Sequence, residues 1–191
     1  MEPELPELHA RALDATRKIV AGVGVEQWQT RVETSKTDVR TLVNHFVSEN
    51  YSVEPLLSGE PFEQVSKRYS GDVLGDDPVA SYDRSAESAA AAFRLSGALE
   101  KSYQMRPSDP PMPGSAFCVN RFVDILVHGW EVANVTGQET ILDPELAEAA
   151  RVSIEPDIVK LREKGIIRDA LEVPPDANSQ TKLLAFFGFS G

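Results

Sequence analysis

An all-α fold is what this sequence predicts, and three observations predict it. Apolar residues recur at three- and four-residue spacing through each long segment, Gly and Pro cluster between those segments, and no run alternates apolar with polar residues as a half-buried strand would. The expectation is four main helices in a bundle over about 4–136, joined by long crossover loops. A helical extension of one or two short helices over about 143–191 completes a single domain of 191 residues.

The first helix is expected over 4–20, with Pro6 tolerated in the opening turn and Leu8, Ala12, Leu13, Thr16, Ile19 and Val20 forming its apolar stripe. His9, beside Glu7, is assigned to the surface. Gly22 and Gly24 stop the helix, and 26–36 reads as a polar connection around a core-covering Trp28. Thr37 or Asp38 can cap the second helix, which turns Val39, Leu42, Val43, Phe46 and Val47 inward and continues towards Pro55. His45 lies at the edge of that stripe.

Residues 58–78, rich in Gly, Pro, Ser and Asp, form a long crossover with a helical turn around Gln64. An alanine-rich third helix follows over 79–102, and Gly97 near its end is a modest cost. The proline-dense stretch 107–113 forms a second crossover into a fourth helix over 115–136, closed by Thr136-Gly137. Asp143-Pro144-Glu145 begins a further helix towards Glu163 that Pro156 must interrupt, and a last helix runs over 177–187 up to Gly188.

A net charge of −11 argues against nucleic acid or an anionic membrane as the main partner, because either requires a basic footprint. With Cys118 as the single cysteine, no intrachain disulfide is possible. The acidic start MEPELPELHA is unlike a signal peptide, and no stretch approaches 18 uninterrupted apolar residues. A cytoplasmic protein is expected.

The fourth helix carries the chemistry. Asp124 and His128 are four residues apart and therefore share one helical face, in a segment apolar almost all round. A carboxylate and an imidazole in such a segment are costly unless paired. Two pairings are open. Asp124 and His128 can hydrogen-bond each other, with His45 unrelated to them. Alternatively His45, Asp124 and His128 converge as three ligands from two helices, a divalent-metal site of the catalytic type with open positions. Around them, Glu131 reads as a salt bridge or a solvated end, and Arg121 as half of a structural ion pair. Trp130 and Cys118 read as core, and Asn44 and Asn134 as surface or capping residues.

Three stretches resemble, in matching order, the actinobacterial branch of the DinB-like superfamily related to mycothiol-dependent maleylpyruvate isomerase. They are DVRTLVNHF, VDILVHGWEVANVTG and VPPDANSQTKLLAFFGFSG. The resemblance implies a DinB-like four-helix bundle that binds a divalent metal through His45, Asp124 and His128. It further implies mycothiol as thiol cosubstrate, a small-molecule substrate and a homodimer. Asp124 stands where the isomerase has a glutamate, VETSKT lacks the family's Cys and Trp before the second helix, and Gly188-Phe189 replaces a terminal Gly-Arg. The ligand set suits Zn²⁺ first and Ni²⁺, Fe²⁺ or Mn²⁺ second.

Overall fold

Caps written into the sequence set where several helices begin. The computed structural model describes residues 4–104, 110–163, 165 and 167–190, which are mostly helical. They fall into two compact units, Met1–Gln138 and Glu139–Gly191.

In the first unit, α1 (Leu5–Ala21) opens with Pro6 in its first turn and stops at Gly22. Asp38 caps α2 (Val39–Leu57) by accepting from the Thr41 amide at 2.7 Å. Removing such a cap typically costs about 1 kcal/mol. The helix passes through Pro55 and ends two residues later. A short α3 (Phe62–Arg68) replaces the single turn expected near Gln64. Asp77 then caps α4 (Pro78–Phe93) through the Ala80 amide. The fourth long helix, α5 (Gly114–Thr136), ends on Gly137, whose φ of 69° is the left-handed conformation that glycine adopts without strain.

Two expectations need correction. Helix α4 stops at Phe93 and does not reach residue 102. The Arg94 amide bonds back to the Ala91 carbonyl and the Leu95 amide to the Ala92 carbonyl, the chain turns, and Gly97 adopts a φ of 79°. Short strands also form where none was expected. Strand β1 (Arg31–Val32) pairs antiparallel with β2 (Thr37–Asp38), and β3 (Ser102–Tyr103) pairs with β4 (Met112–Pro113). The crossover expected over 107–113 lies partly outside the described residues.

Helix α1 packs against α5 and α4, and α2 packs against α4 and α5. Val43, Phe46, Val47, Tyr82, Phe93, Phe122 and Leu126 fill the space among them. Full burial of a side chain of this size contributes roughly 1.5–3 kcal/mol. The approach of α1 to α5 is close. A Cβ on Gly129 would lie 2.6 Å from Thr16 Oγ1, and that hydroxyl donates to the Ile125 carbonyl at 3.1 Å. His9 is a third correction: it is fully buried and meets the Phe93 ring edge-on.

In the second unit, Asp143 caps α6 (Pro144–Ile154), and a turn at Glu155–Asp157 containing Pro156 separates it from α7 (Ile158–Glu163). Asn178 caps α8 (Ser179–Phe186). Leu146, Ala147 and Ala150 are buried on α6, and Leu183 and Leu184 on α8, which packs against it. The Gln180 side chain ties α8 to the preceding chain through the Leu142 amide and the Thr140 carbonyl. Among the described residues, no helix is long and apolar enough to cross a membrane.

Candidate metal centre

One face of α5 carries Arg121, Asp124, His128 and Glu131, spaced three, four and three residues apart. This is the spacing that stacks side chains along a helix. Facing them on α2 are His45 and Glu49, one turn apart. The two helices therefore meet along a polar seam, with residue numbers rising along one as they fall along the other. Glu49 pairs with Arg121, His45 faces Asp124, and Thr34, ahead of α2, reaches Glu131.

At the middle of the seam, the donor atoms of His45, Asp124 and His128 lie within 4.8 Å of one another, a group that can hold a metal ion. Asp124 Oδ2 is 3.8 Å from His45 Nε2, and Asp124 Oδ1 is 3.4 Å from His128 Nε2. Two ligand bonds of about 2.1 Å meeting at a tetrahedral angle separate their donor atoms by about 3.4 Å. The spacing thus fits ligands around one small cation. The imidazole centroids are 5.6 Å apart and the rings nearly perpendicular, so both Nε2 atoms can face the carboxylate. Hence the structure brings together all three residues that the sequence singled out.

The surroundings are asymmetric. His45 has a side chain 46% exposed, whereas Asp124 and His128 are 23% exposed. Of the three, His45 is the one most open to solvent. Desolvation works against ionising Asp124, yet Arg121, His128 and His45 outweigh it and hold the carboxyl well below the usual carboxylate range. Desolvation likewise disfavours charge on His128, but Asp124 and Glu131 push its pKa up to about 10. Arg121 is 10% exposed and donates to Glu49 and, at 2.6 Å, to the side-chain amide oxygen Oδ1 of Asn120. It is the structural ion pair expected, and its charge is spent inside the seam.

Glu131 corrects the idea of a solvated end. It is 1% exposed, accepts from His128 Nδ1–H at 2.5 Å through Oε2, and accepts from the Thr34 hydroxyl through Oε1. Its three-residue spacing from His128 was legible, but its burial depends on the β1–β2 hairpin, which the sequence did not announce. Trp130 and Cys118 are core, as expected, and burial pushes the Cys118 thiol up to about 12, an unreactive form. Asn44 does more than sit on the surface. It bonds the Gly71 carbonyl and the Val73 amide, pinning the chain that follows α3.

The chain is similar to two proteins of Mycobacterium tuberculosis. These are uncharacterized protein Rv0738 of strain H37Rv and uncharacterized protein MT0763 of strain CDC 1551, each 30% identical over 152 residues, 78% of this chain and 78% of the relative. No protein-family model and no solved structure matches it.

Proposed function

We propose that this chain, which belongs to the same family as Rv0738 and MT0763 of Mycobacterium tuberculosis, binds a divalent metal through His45, Asp124 and His128. On that metal it works as a thiol-dependent isomerase or S-transferase. The observation that carries this reading is the convergence of two imidazoles and a carboxylate from α2 and α5, at spacings that suit one cation. The order of long helices, with ligands on the second and the last, is consistent with a DinB-like four-helix bundle. The homodimer and the mycothiol-type cosubstrate belong to the same proposal and rest on the sequence resemblance; the cytoplasmic setting also belongs to it and rests on the single cysteine, Cys118.

Two neutral imidazoles and one carboxylate suit Zn²⁺ first, with Ni²⁺, Fe²⁺ or Mn²⁺ acceptable. When bound, such a cation lowers the pKa of a coordinated water to about 7 and deprotonates a coordinated thiol. The remaining work falls to the chain. Asp124 supplies the ligand charge, and Arg121 keeps that carboxylate ionised. The Glu49–Arg121 pair closes one end of the seam. Half-exposed His45 leaves the other side open to a small thiol and its electrophilic partner. The experiment is metal analysis of the purified protein and of the His45→Ala/His128→Ala double variant, followed by assay of the loaded protein with low-molecular-weight thiols and electrophilic alkenes. Metal in the wild type, none in the double variant, and thiol-dependent turnover are expected. A wild type that takes up no metal overturns the reading.

A second reading has its own observation. VETSKT lacks the Cys and Trp of the resembled family, and Phe189 stands where that family has arginine. Metal bound without turnover across the panel would favour a non-catalytic binding bundle.

A further inference from the structure

We infer that Glu131 and Thr34 are positioning residues of the metal centre, and that through them the β1–β2 hairpin sets how tightly the centre holds its ion. This inference rests on the metal reading above, and it concerns residues that touch the ligands but do not join them.

A carboxylate 1% exposed is costly unless hydrogen-bond donors reach its oxygens. Glu131 has one donor on each. Oε2 takes the His128 Nδ1–H at 2.5 Å, and Oε1 takes the Thr34 hydroxyl. The first contact decides which tautomer His128 holds. With the Nδ1 proton held by Glu131, the Nε2 proton is the one a cation would displace, which frees a lone pair on the atom that faces Asp124 Oδ1 at 3.4 Å. Without Glu131 the ring could turn, or carry its proton on Nε2, and the ligand would be lost. The carboxylate also pulls on that proton and makes Nε2 a stronger donor.

Thr34 then fixes Glu131. It lies in the four-residue connection between Val32 and Thr37, which pair with each other across the hairpin. Val32 is fully buried, so one side of this small hairpin is anchored in the core. Lys36, in the same connection, has a φ of 57°, a left-handed conformation that a non-glycine residue adopts only under strain. The connection is therefore held in a tight, defined turn that aims the Thr34 hydroxyl at Glu131. The connection reaches the centre through two side chains, Glu131 and then His128.

The test uses the full chain, stripped of metal and titrated with Zn²⁺ against a chromophoric chelator at one neutral pH. Co²⁺ visible spectra are recorded in parallel. Glu131→Gln keeps the shape and an acceptor but removes the charge, and it should weaken Zn²⁺ binding about 10–100-fold. Thr34→Val keeps the shape and removes the hydroxyl; a loss of about tenfold or less is expected, with Thr34→Ser restoring wild-type affinity. The Co²⁺ bands should shift in Glu131→Gln, a change that general loosening of the fold would not produce. Hydrogen exchange of amides 31–38 should slow on Zn²⁺ loading in the wild type and not in Glu131→Gln. Should Glu131→Gln fail to fold, the Thr34 pair still decides. Wild-type affinity and spectra in the folded variants would overturn this inference alone. A wild type that binds no Zn²⁺ would overturn the metal reading and this inference with it.

Discussion

Helix α5 has two histidine neighbourhoods, and they treat an imidazole in opposite ways. His9, brought in by α1, is wholly buried against Phe93, and among the described residues neither ring nitrogen has a hydrogen-bond partner. Desolvation, reinforced by the charges of Arg121 and Arg94, drives its pKa down to about 3. His128, on the side of α5 that faces α2, is also largely withdrawn from water, and desolvation acts on it in the same direction. There Asp124 and Glu131 outweigh it, and the pKa rises to about 10. Burial alone does not tell a ligand from a core histidine; the partners on its two nitrogens do. His9 has none and packs as a neutral ring, whereas each nitrogen of His128 faces an acid.

The comparison can be broken or sharpened by variants on either side of α5. The largest effect belongs to the seam. Asp124→Asn keeps the shape but removes the ligand charge, and Zn²⁺ affinity should fall about 100-fold, or about 3 kcal/mol, in a chelator competition. An unchanged affinity would reduce the triad to an ion pair.

The next effect belongs to His9 and appears in acid. Its folded pKa lies below its ordinary value of 6.5, so the unfolded chain takes up a proton that the folded chain refuses. Stability is therefore fully present above 6.5 and is lost as pH falls towards 3. The loss should reach about 2 kcal/mol at pH 5. Urea unfolding of wild type and His9→Leu across this range should show the slope in the first and a flatter curve in the second. Parallel curves would mean that His9 finds a partner in solution.

Gly129→Ala tests the close-packed side. Its new methyl group would be driven against Thr16, and a destabilisation of about 1–3 kcal/mol is expected from thermal melts, with Zn²⁺ affinity unchanged. A drop in affinity would show that the two sides of α5 are coupled. The smallest effect is Asp38→Ala, which removes the cap of the helix that carries His45. About 1 kcal/mol of stability should go, and the metal site should remain.

Much of this was legible before any coordinates, for local reasons. Asp38, Asp143-Pro144 and Gly137 are capping signals that act over one turn, and each holds in the structure. The face shared by Asp124 and His128 follows from helical spacing alone. What stayed hidden depends on distant chain. Residues 94–100 have the composition of a helix, yet the chain turns there and Gly114 packs against it so closely that a Cβ would sit 1.8 Å from the Ala98 carbonyl oxygen. His9 shares the stripe of Ala12, Leu13 and Thr16, but a polar residue type next to Glu7 reads as surface until Phe93 arrives from α4. Glu131 reads as a salt bridge or a solvated end; its pairing with His128 follows from helical spacing, and its burial stays hidden until Thr34 arrives from a hairpin too short to have a sequence pattern.

The central claim is that His45, Asp124 and His128 share one cation, and X-ray absorption at the zinc edge of the Zn²⁺-loaded protein tests it most directly. The account predicts one zinc per chain, with the scattering signature of two imidazoles and light oxygen ligands at about 2.0–2.2 Å, and loss of that signature in the His45→Ala/His128→Ala variant. Zinc surrounded by oxygen alone, or a spectrum identical in the double variant, would contradict it.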